Sequence, residues 1–241
     1  MKKKKKSVFK KIKIILGLIF LAIICYGIIV FKIGYDSYKS VIAETPLSEK
    51  VENIRSKKNY IKIEDIPEFY KKGVLSVEDI RFYDHHGIDI ISLGRAIVDD
   101  VMTLSLSEGG STISQQLAKN LYLSQGKKFS RKIAEVFIVK DLEEKLEKDE
   151  ILELYLNIIY YGDGYYGIGN ASLGYFDKLP KDLTKYEQSI LVGLPNAPSV
   201  YQLSNNSELT YQRQNIVLNK MKQYGFITDE DIKEIKSQGE K

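Results

Sequence analysis

Chemistry that depends on cysteine or clustered histidine has little to work with in this chain. There is one cysteine, Cys25, and it lies inside an apolar run. The two histidines, His85 and His86, are adjacent, so on a helix their side chains point about 100° apart and cannot share a metal. Neither the HExxH spacing nor a cysteine-rich zinc pattern is present. No Walker loop, G-x-S-x-G elbow or Ser-His-Asp arrangement is evident. A domain without cysteine can work outside the cell without disulfides, so the redox compartment is unconstrained. The 44% hydrophobic and 28% charged content is globular rather than disordered.

Acidic residues are missing from positions 1–32, which hold nine lysines. With a whole-chain charge of +4, this leaves −5 on residues 33–241. The basic balance therefore belongs to the tail and gives no support to a nucleic-acid partner for the domain. Eighteen residues from Ile14 to Phe31 carry no charge. At 1.5 Å per residue such a run crosses a bilayer core of roughly 30 Å. A cleaved signal peptide is the rival reading, but the run is longer than a signal core and no small-x-small site follows. An interfacial helix fits less well, because the run is apolar on all sides. The expected layout is a cytoplasmic basic tail at 1–13, a membrane helix at 14–32, a membrane-proximal linker at 33–59, whose Ile33–Ser56 reads as a stalk or an initial helix, and an extracytoplasmic domain at 60–241.

There is no internal repeat and no β-rich region, so the domain is expected to be mainly α. Tyr60–Ile66 alternates weakly and reads as a short extended segment. A helix is expected to begin at Glu68–Lys72 and to be interrupted by Gly73; another is expected over Val77–Asp84. Gly87 permits a turn, and Asp89 or Ser92 can cap a helix through Met102. Ser111 is expected to cap the next helix, where Thr112, Gln115, Gln116 and Lys119 share one face. A polar, nearly uncharged stripe suits a cleft wall, with a plain surface helix as the alternative. Ser130 and Asp149 are expected to cap two further helices, through Lys145 and over Glu150–Ile158. Tyr160–Gly174 holds five glycines and four tyrosines, which line a sugar surface or simply pack. Helices over Tyr186–Leu194, with a start nearer Thr184 as the variant, Leu209–Tyr224 and Thr228–Ile235 complete the reading.

The densest chemistry is Val77–Asp89, VEDIRFYDHHGID. Glu78 sits among Val77, Ile80, Phe82 and Tyr83, where partial burial would raise its pKa and suit it to take a proton near neutral pH. Glu135 lies one turn from Arg131, with Lys132, Lys127, Lys128 and Lys119 expected near, a neighbourhood that holds phosphate. For each glutamate a structural salt bridge is the alternative.

Four stretches, EDIRFYDHHGID (78–89), EGGSTISQQLAKN (108–120), the run from Arg131 to Ser172 and LVGLPNAPSVY (191–201), resemble the successive motifs of the peptidoglycan glycosyltransferases. The similarity spans about Lys62 to Tyr224 and keeps the family's motif order. It implies a mainly helical, lysozyme-like domain with a large lobe and a small, lipid-admitting lobe, preceded by one transmembrane helix. It implies polymerisation of lipid II, the undecaprenyl-pyrophosphoryl disaccharide pentapeptide, and growing lipid-linked glycan as the second substrate, at the bacterial cytoplasmic membrane. The sequence ends before the transpeptidase domain of bifunctional members, which implies the monofunctional form. By motif, Glu78 matches the general base and Glu135 the acid that assists pyrophosphate departure, directly or through Mg²⁺ or Mn²⁺; no organic cofactor is implied. Arg95, Ser111, Gln115, Lys119, Asn120 and Arg131 fall at positions near the donor pyrophosphate or the fold around it. Lys127 falls at a loop position that carries arginine in some members, where lysine keeps the charge and loses the fork. Asp79, Arg81, Phe82, His85 and Gly87 support the first motif, and Glu187 matches a motif acid expected to be structural. Wall-synthesis and division proteins are the partners the resemblance suggests. A lysozyme-like hydrolase and a silent scaffold are the competing readings.

Overall fold

A computed structural model describes the backbone of residues 2–103, 110–123, 129–205 and 207–239, and side chains over 11–96, 110–123, 131–205 and 208–239. The described residues are helical, with no strand and one isolated bridge, Tyr160 to Tyr166. The all-helical domain behind one long apolar helix is the architecture expected.

Helix α1 (Lys2–Glu44) runs unbroken through the apolar stretch and twelve residues beyond Lys32. Its apolar side chains from Ile12 to Ile33, the half-buried Val30 apart, are exposed, and the helix has the length and composition to cross a membrane. The segment expected as a linker, 33–59, is largely helix. Its α2 (Leu47–Arg55) places Leu47, Val51 and Ile54 in the core. Of the stretch Tyr60–Ile66, expected to be extended, only residues 60–62 are so, and they pair with no strand. The backbone of the stretch is held by side chains instead: Ile61 N–H donates to Asn157 Oδ1 at 2.8 Å, and Ile63 N–H to Glu153 Oε2 at 2.7 Å. Ile63–Asp65, inside that stretch, is a short 3₁₀ turn instead.

Helix α3 (Glu68–Glu78) passes straight through Gly73, contrary to the expected interruption. The glycine is there for packing. A Cβ on it would lie 2.9 Å from Val192 Cγ2 of α9 (Lys185–Gly193), so the two helices meet at this point. The helix expected over Val77–Asp84 is also corrected, since α3 stops at Glu78 and residues 79–84 form turns. Helix α4 (Ile90–Thr103) follows, capped by Asp89. Helix α5 (Ile113–Tyr122) is capped by Thr112 rather than Ser111, in a reciprocal box with Gln115.

Helix α6 (Phe129–Lys145) lies along α1; the cap expected at Ser130 is corrected, because Ser130 is the second residue inside the helix. Helix α7 (Lys148–Ile158) starts at a Glu147–Glu150 capping box, two residues before the expected Asp149. It is the centre of the core, with Ile151, Leu152, Leu154, Tyr155 and Leu156 wholly buried. Helix α5 packs on α6 and α7. Helix α8 (Ile168–Phe176) follows the glycine-tyrosine turns, where Tyr161 is fully buried and Tyr160, Tyr165 and Tyr166 engage other rings. After α9 come α10 (Pro198–Tyr201), α11 (Ser207–Gln223) and α12 (Asp229–Ser237), the last capped by Thr228. Helices α3, α9 and α11 pack together on the other side of the cleft described next.

Candidate active site

The cleft is built where three chain reversals meet. Asp79 ends α3 and leaves the helix because its carboxylate has partners elsewhere. His85 Nε2 lies 2.9 and 3.0 Å from its two oxygens, and Ile113 N–H, in the first turn of α5, donates to it at 3.1 Å. Gly87 N–H donates to His85 Nδ1 at 3.1 Å, so the proton sits on Nε2 and points at Asp79. One carboxylate thus ties the end of α3, the 84–87 turn and the positive start of α5 together.

Gly87 is required by two independent constraints. Its φ is +84°, and an added Cβ would collide with Val139 Cγ1 on α6. Its carbonyl accepts from Thr112 Oγ1 at 2.5 Å, which docks the turn on the α5 cap. Next to it Arg81 forks onto Asp89, Nε to Oδ2 at 3.0 Å, with the second arm on Oδ1. Ser92 donates to Asp89 from backbone and hydroxyl at 2.9 and 2.5 Å. Burial opposes ionisation of Asp89, but the Arg81 and Ser92 bonds outweigh it and hold the carboxyl well below the usual carboxylate range. Phe82 is fully buried beneath Lys148, whose Nζ is 4.5 Å from the ring centroid.

These supports frame a cleft of about 570 Å³. Glu78, at the last position of α3, and Glu135, on α6, both line it, with Ser111 just before α5, Gln115, Gln116 and Lys119 from α5, Lys132 from α6 and Pro195 and Asn196 after α9. The polar face of α5 is therefore a cleft wall and not a plain surface, although Thr112 is spent on the cap and buried. Glu78 also borders a second cavity of about 250 Å³, whose lining includes Ser92, Arg95, Ser111, Lys220 and Tyr224.

The two glutamates are held differently. Burial pushes the Glu78 carboxyl up, and Asp79 adds to this; the Gln116 amide and the Arg213 charge oppose it without cancelling it. Gln116 Nε2 donates to Glu78 Oε2 at 2.7 Å. Glu135 is 6% exposed and accepts on Oε1 from Gln115 Nε2 at 3.0 Å and from the Lys132 ammonium. Among the described residues no three His, Cys, Asp or Glu side chains form a metal-sized group.

Of the residues expected near phosphate, Ser111, Gln115 and Lys119 line the first cleft and Arg95 the second cavity. Asn120 is exposed on α5 and Arg131 lies on α6, both outside these two linings. Lys127 lies outside the described residues. Glu187 is in neither cavity lining. It closes the Thr184 capping box of α9 and pairs with Lys178 at 2.7 Å, a structural place. Lys132, expected near Glu135, is its ion-pair partner, whereas sequence reading missed Arg213 as a charge acting on Glu78 and Pro195-Asn196 as cleft wall. The available signals were the place of Pro195-Asn196-Ala197-Pro198 in the stretch LVGLPNAPSVY and its two prolines, since such a short segment is built to hold a shape.

The transglycosylase family profile matches residues 45–222. The chain belongs to the transglycosylase family. By that membership it is a glycosyltransferase, and the cleft between α3, α5 and α6 lies wholly inside the matched region. Curated relatives agree. The chain is 40% identical to penicillin-binding protein 1F of Bacillus subtilis over 233 residues, 93% of this chain and 33% of that protein. It is 43% identical to penicillin-binding protein 1A of Neisseria flavescens over 182 residues, 74% of this chain and 23% of that protein. It is 36% identical to penicillin-binding protein 1A/1B of B. subtilis over 248 residues, 98% of this chain and 27% of that protein. The transglycosylase chain thus spans about a quarter to a third of the length of these relatives.

Proposed function

We propose that this transglycosylase polymerises lipid II into the β-1,4 glycan of peptidoglycan and releases undecaprenyl pyrophosphate at the outer face of the bacterial membrane. The observation that carries the reading is the sharing of one cleft by Glu78, whose carboxyl is pushed up by burial, and Glu135, with Lys119 and Lys132 in the same lining. Glu78 acts as the general base. It takes the proton of the acceptor 4-hydroxyl as that oxygen bonds to the donor anomeric carbon. The bond from that carbon to the pyrophosphate oxygen breaks, and the electron pair leaves on the pyrophosphate. One displacement inverts the α-linked donor to a β-linkage. It needs a base and an electrostatic sink, unlike hydrolysis with its paired carboxylates and water.

Lys119 and Lys132 supply the sink, with Ser111 and Gln115 as hydrogen-bonding groups on the same wall. Arg95 and Lys220 make the second cavity, across Glu78, suited to another phosphate-bearing lipid. Asn120, Lys127 and Arg131 serve the pyrophosphate if it extends along α5 and α6 beyond the cleft. Glu135 fits Mg²⁺ or Mn²⁺ only as an ion shared with substrate phosphate, since it offers one carboxylate, and such an ion would neutralise phosphate charge. The N-terminal lysines stay cytoplasmic and α1 crosses the bilayer. The exposed Ile90 and Ile91 of α4, beside the cleft-lining Leu93, give the substrate lipid an apolar approach.

The test is glycan formation by the purified full-length protein from lipid II, beside Glu78→Gln and Glu135→Gln. Lysozyme-sensitive polymer from the wild type, with each variant reduced by about 100-fold or more, is the expected result. Shortening of preformed glycan without polymer formation would replace the reading with a hydrolase.

A further inference from the structure

Gln116 has a place in the cleft that the reaction above leaves unused. Its Nε2 donates to Glu78 Oε2 at 2.7 Å, and its Oε1 accepts from Tyr155 Oη at 3.1 Å. Tyr155 is wholly buried on α7, at the centre of the core. Glu78 Oε1 takes no hydrogen bond among the described residues. We propose that Gln116 is the positioning residue of Glu78, holding Oε2 so that Oε1 is left for the acceptor hydroxyl, and that Tyr155 acts through Gln116 by fixing its amide. The inference rests on the reading of Glu78 as the base.

The polarity of the relay follows from charge. An ionised carboxylate only accepts, so the amide must present N–H to Glu78. Its oxygen then faces Tyr155, and the phenol must donate. A flipped amide would set two acceptors against each other and leave the buried phenol hydrogen unpaired. The phenol is no proton source, because burial above all, with the Glu78 charge behind it, pushes its pKa well above the ordinary value. The relay therefore orients and does not transfer protons.

Other elements facing Glu78 do not duplicate this contact. Asp79, its chain neighbour, opposes ionisation, and Arg213 on α11 favours it through space. Tyr70 on α3 and Tyr161 after α7 are bonded to each other at 2.7 Å. Lys119, Lys132 and Glu135 line the cleft, with Glu135 held by Lys132 and Gln115. Gln116 is the neutral donor on the carboxylate. Its removal withdraws support from the ionised form, so the acid limb of the rate profile must move to higher pH.

The experiment follows initial rates of glycan formation by full-length protein from lipid II across pH, for wild type, Gln116→Leu, Tyr155→Phe, the double variant and Glu78→Gln. Gln116→Leu should lower kcat about tenfold with KM nearly unchanged and move the acid limb to higher pH. Tyr155→Phe, nearly isosteric, should do the same by a few-fold. The double variant should match Gln116→Leu alone, because the two residues act in series. An unmoved acid limb in both single variants would overturn the proposal. So would a rise in KM at constant kcat, the mark of a substrate contact, or multiplicative losses in the double variant. If Gln116→Leu does not fold, the limb of Tyr155→Phe decides alone. Glu78→Gln at the wild-type rate removes the base itself; Glu78→Gln inactive beside unmoved limbs removes only the relay.

Discussion

Glu78 and Asp89 are eleven residues apart and titrate in opposite directions, so their effects on stability have opposite signs. The folded pKa of Glu78 lies above its unfolded value of about 4.3. Between the two values the native state holds the extra proton, and stability falls as pH rises through the folded pKa. Glu78→Gln should therefore unfold later than wild type at pH 7 and at the same temperature below pH 4, a comparison that thermal melts at the two pH values make. Asp89 is the reverse case. Its folded carboxyl lies below the ordinary range, so it stabilises above about pH 4 and the stabilisation is lost as pH falls further. Arg81→Ala leaves the buried Asp89 carboxylate to Ser92 alone and should cost about 3 kcal/mol at neutral pH, shrinking in acid, as read by denaturant titration. Both acids were visible in the sequence, and the apolar neighbours of Glu78 gave the direction of its shift. Gln116 and Arg213 as its partners were not, because nothing local ties α5 and α11 to the end of α3.

At the scale of elements, the cleft depends on how α5 begins. Thr112 accepts from Gln115 N–H, gives its own hydroxyl hydrogen to Gly87 and is buried, which Ser111, exposed and one residue earlier, cannot do. Sequence showed a helix start at a serine-threonine pair but not which of the two is used, because the choice is made by Gly87, twenty-five residues away. The same cause ended α3 early. Val77–Asp84 has helical composition, but the bonds of Asp79 to His85 and Ile113 draw the chain out of the helix. Gly87→Ala tests the junction. It combines a positive φ with a collision at Val139 and should destabilise by about 3 kcal/mol in a denaturant titration, with glycan formation falling as the α5 wall shifts. Thr112→Val keeps the shape and removes the cap, for about 1 kcal/mol. The glycine-tyrosine region was the least legible stretch. Its five glycines announced turns, but that the tyrosines would pack among themselves and leave the two cavities free of them depended on the placement of α7 and α8.

The whole molecule turns on how α1 meets the domain. Apolar length and terminal lysines made α1 the most legible element, but the sequence left stalk and helix open beyond Lys32 and did not show the docking. Phe137 on α6 meets Phe31, Tyr35 and Tyr38 of α1 with ring centroids 5.8, 5.1 and 5.4 Å apart, and Tyr38 Oη donates to Asp141 at 2.8 Å. Glu135 and Phe137 are two positions apart on α6, hence on roughly opposite faces. The anchor helix therefore grips the back of the helix whose front carries the second cleft acid. With α1 across the bilayer as proposed, a rigid joint here would set the height and tilt of the cleft. Phe137→Ala removes three ring contacts of about 0.5–1.5 kcal/mol each, so the joint should loosen by about 2 kcal/mol. Amide exchange by the protein in lipid nanodiscs reads this directly. Residues 35–44 of α1 should exchange faster, while α9 and α11, which pack on α3 and on each other, keep their rates. Glycan formation in the same discs should fall with Glu135 intact, and unchanged exchange at 35–44 would show that the rings touch without holding the anchor.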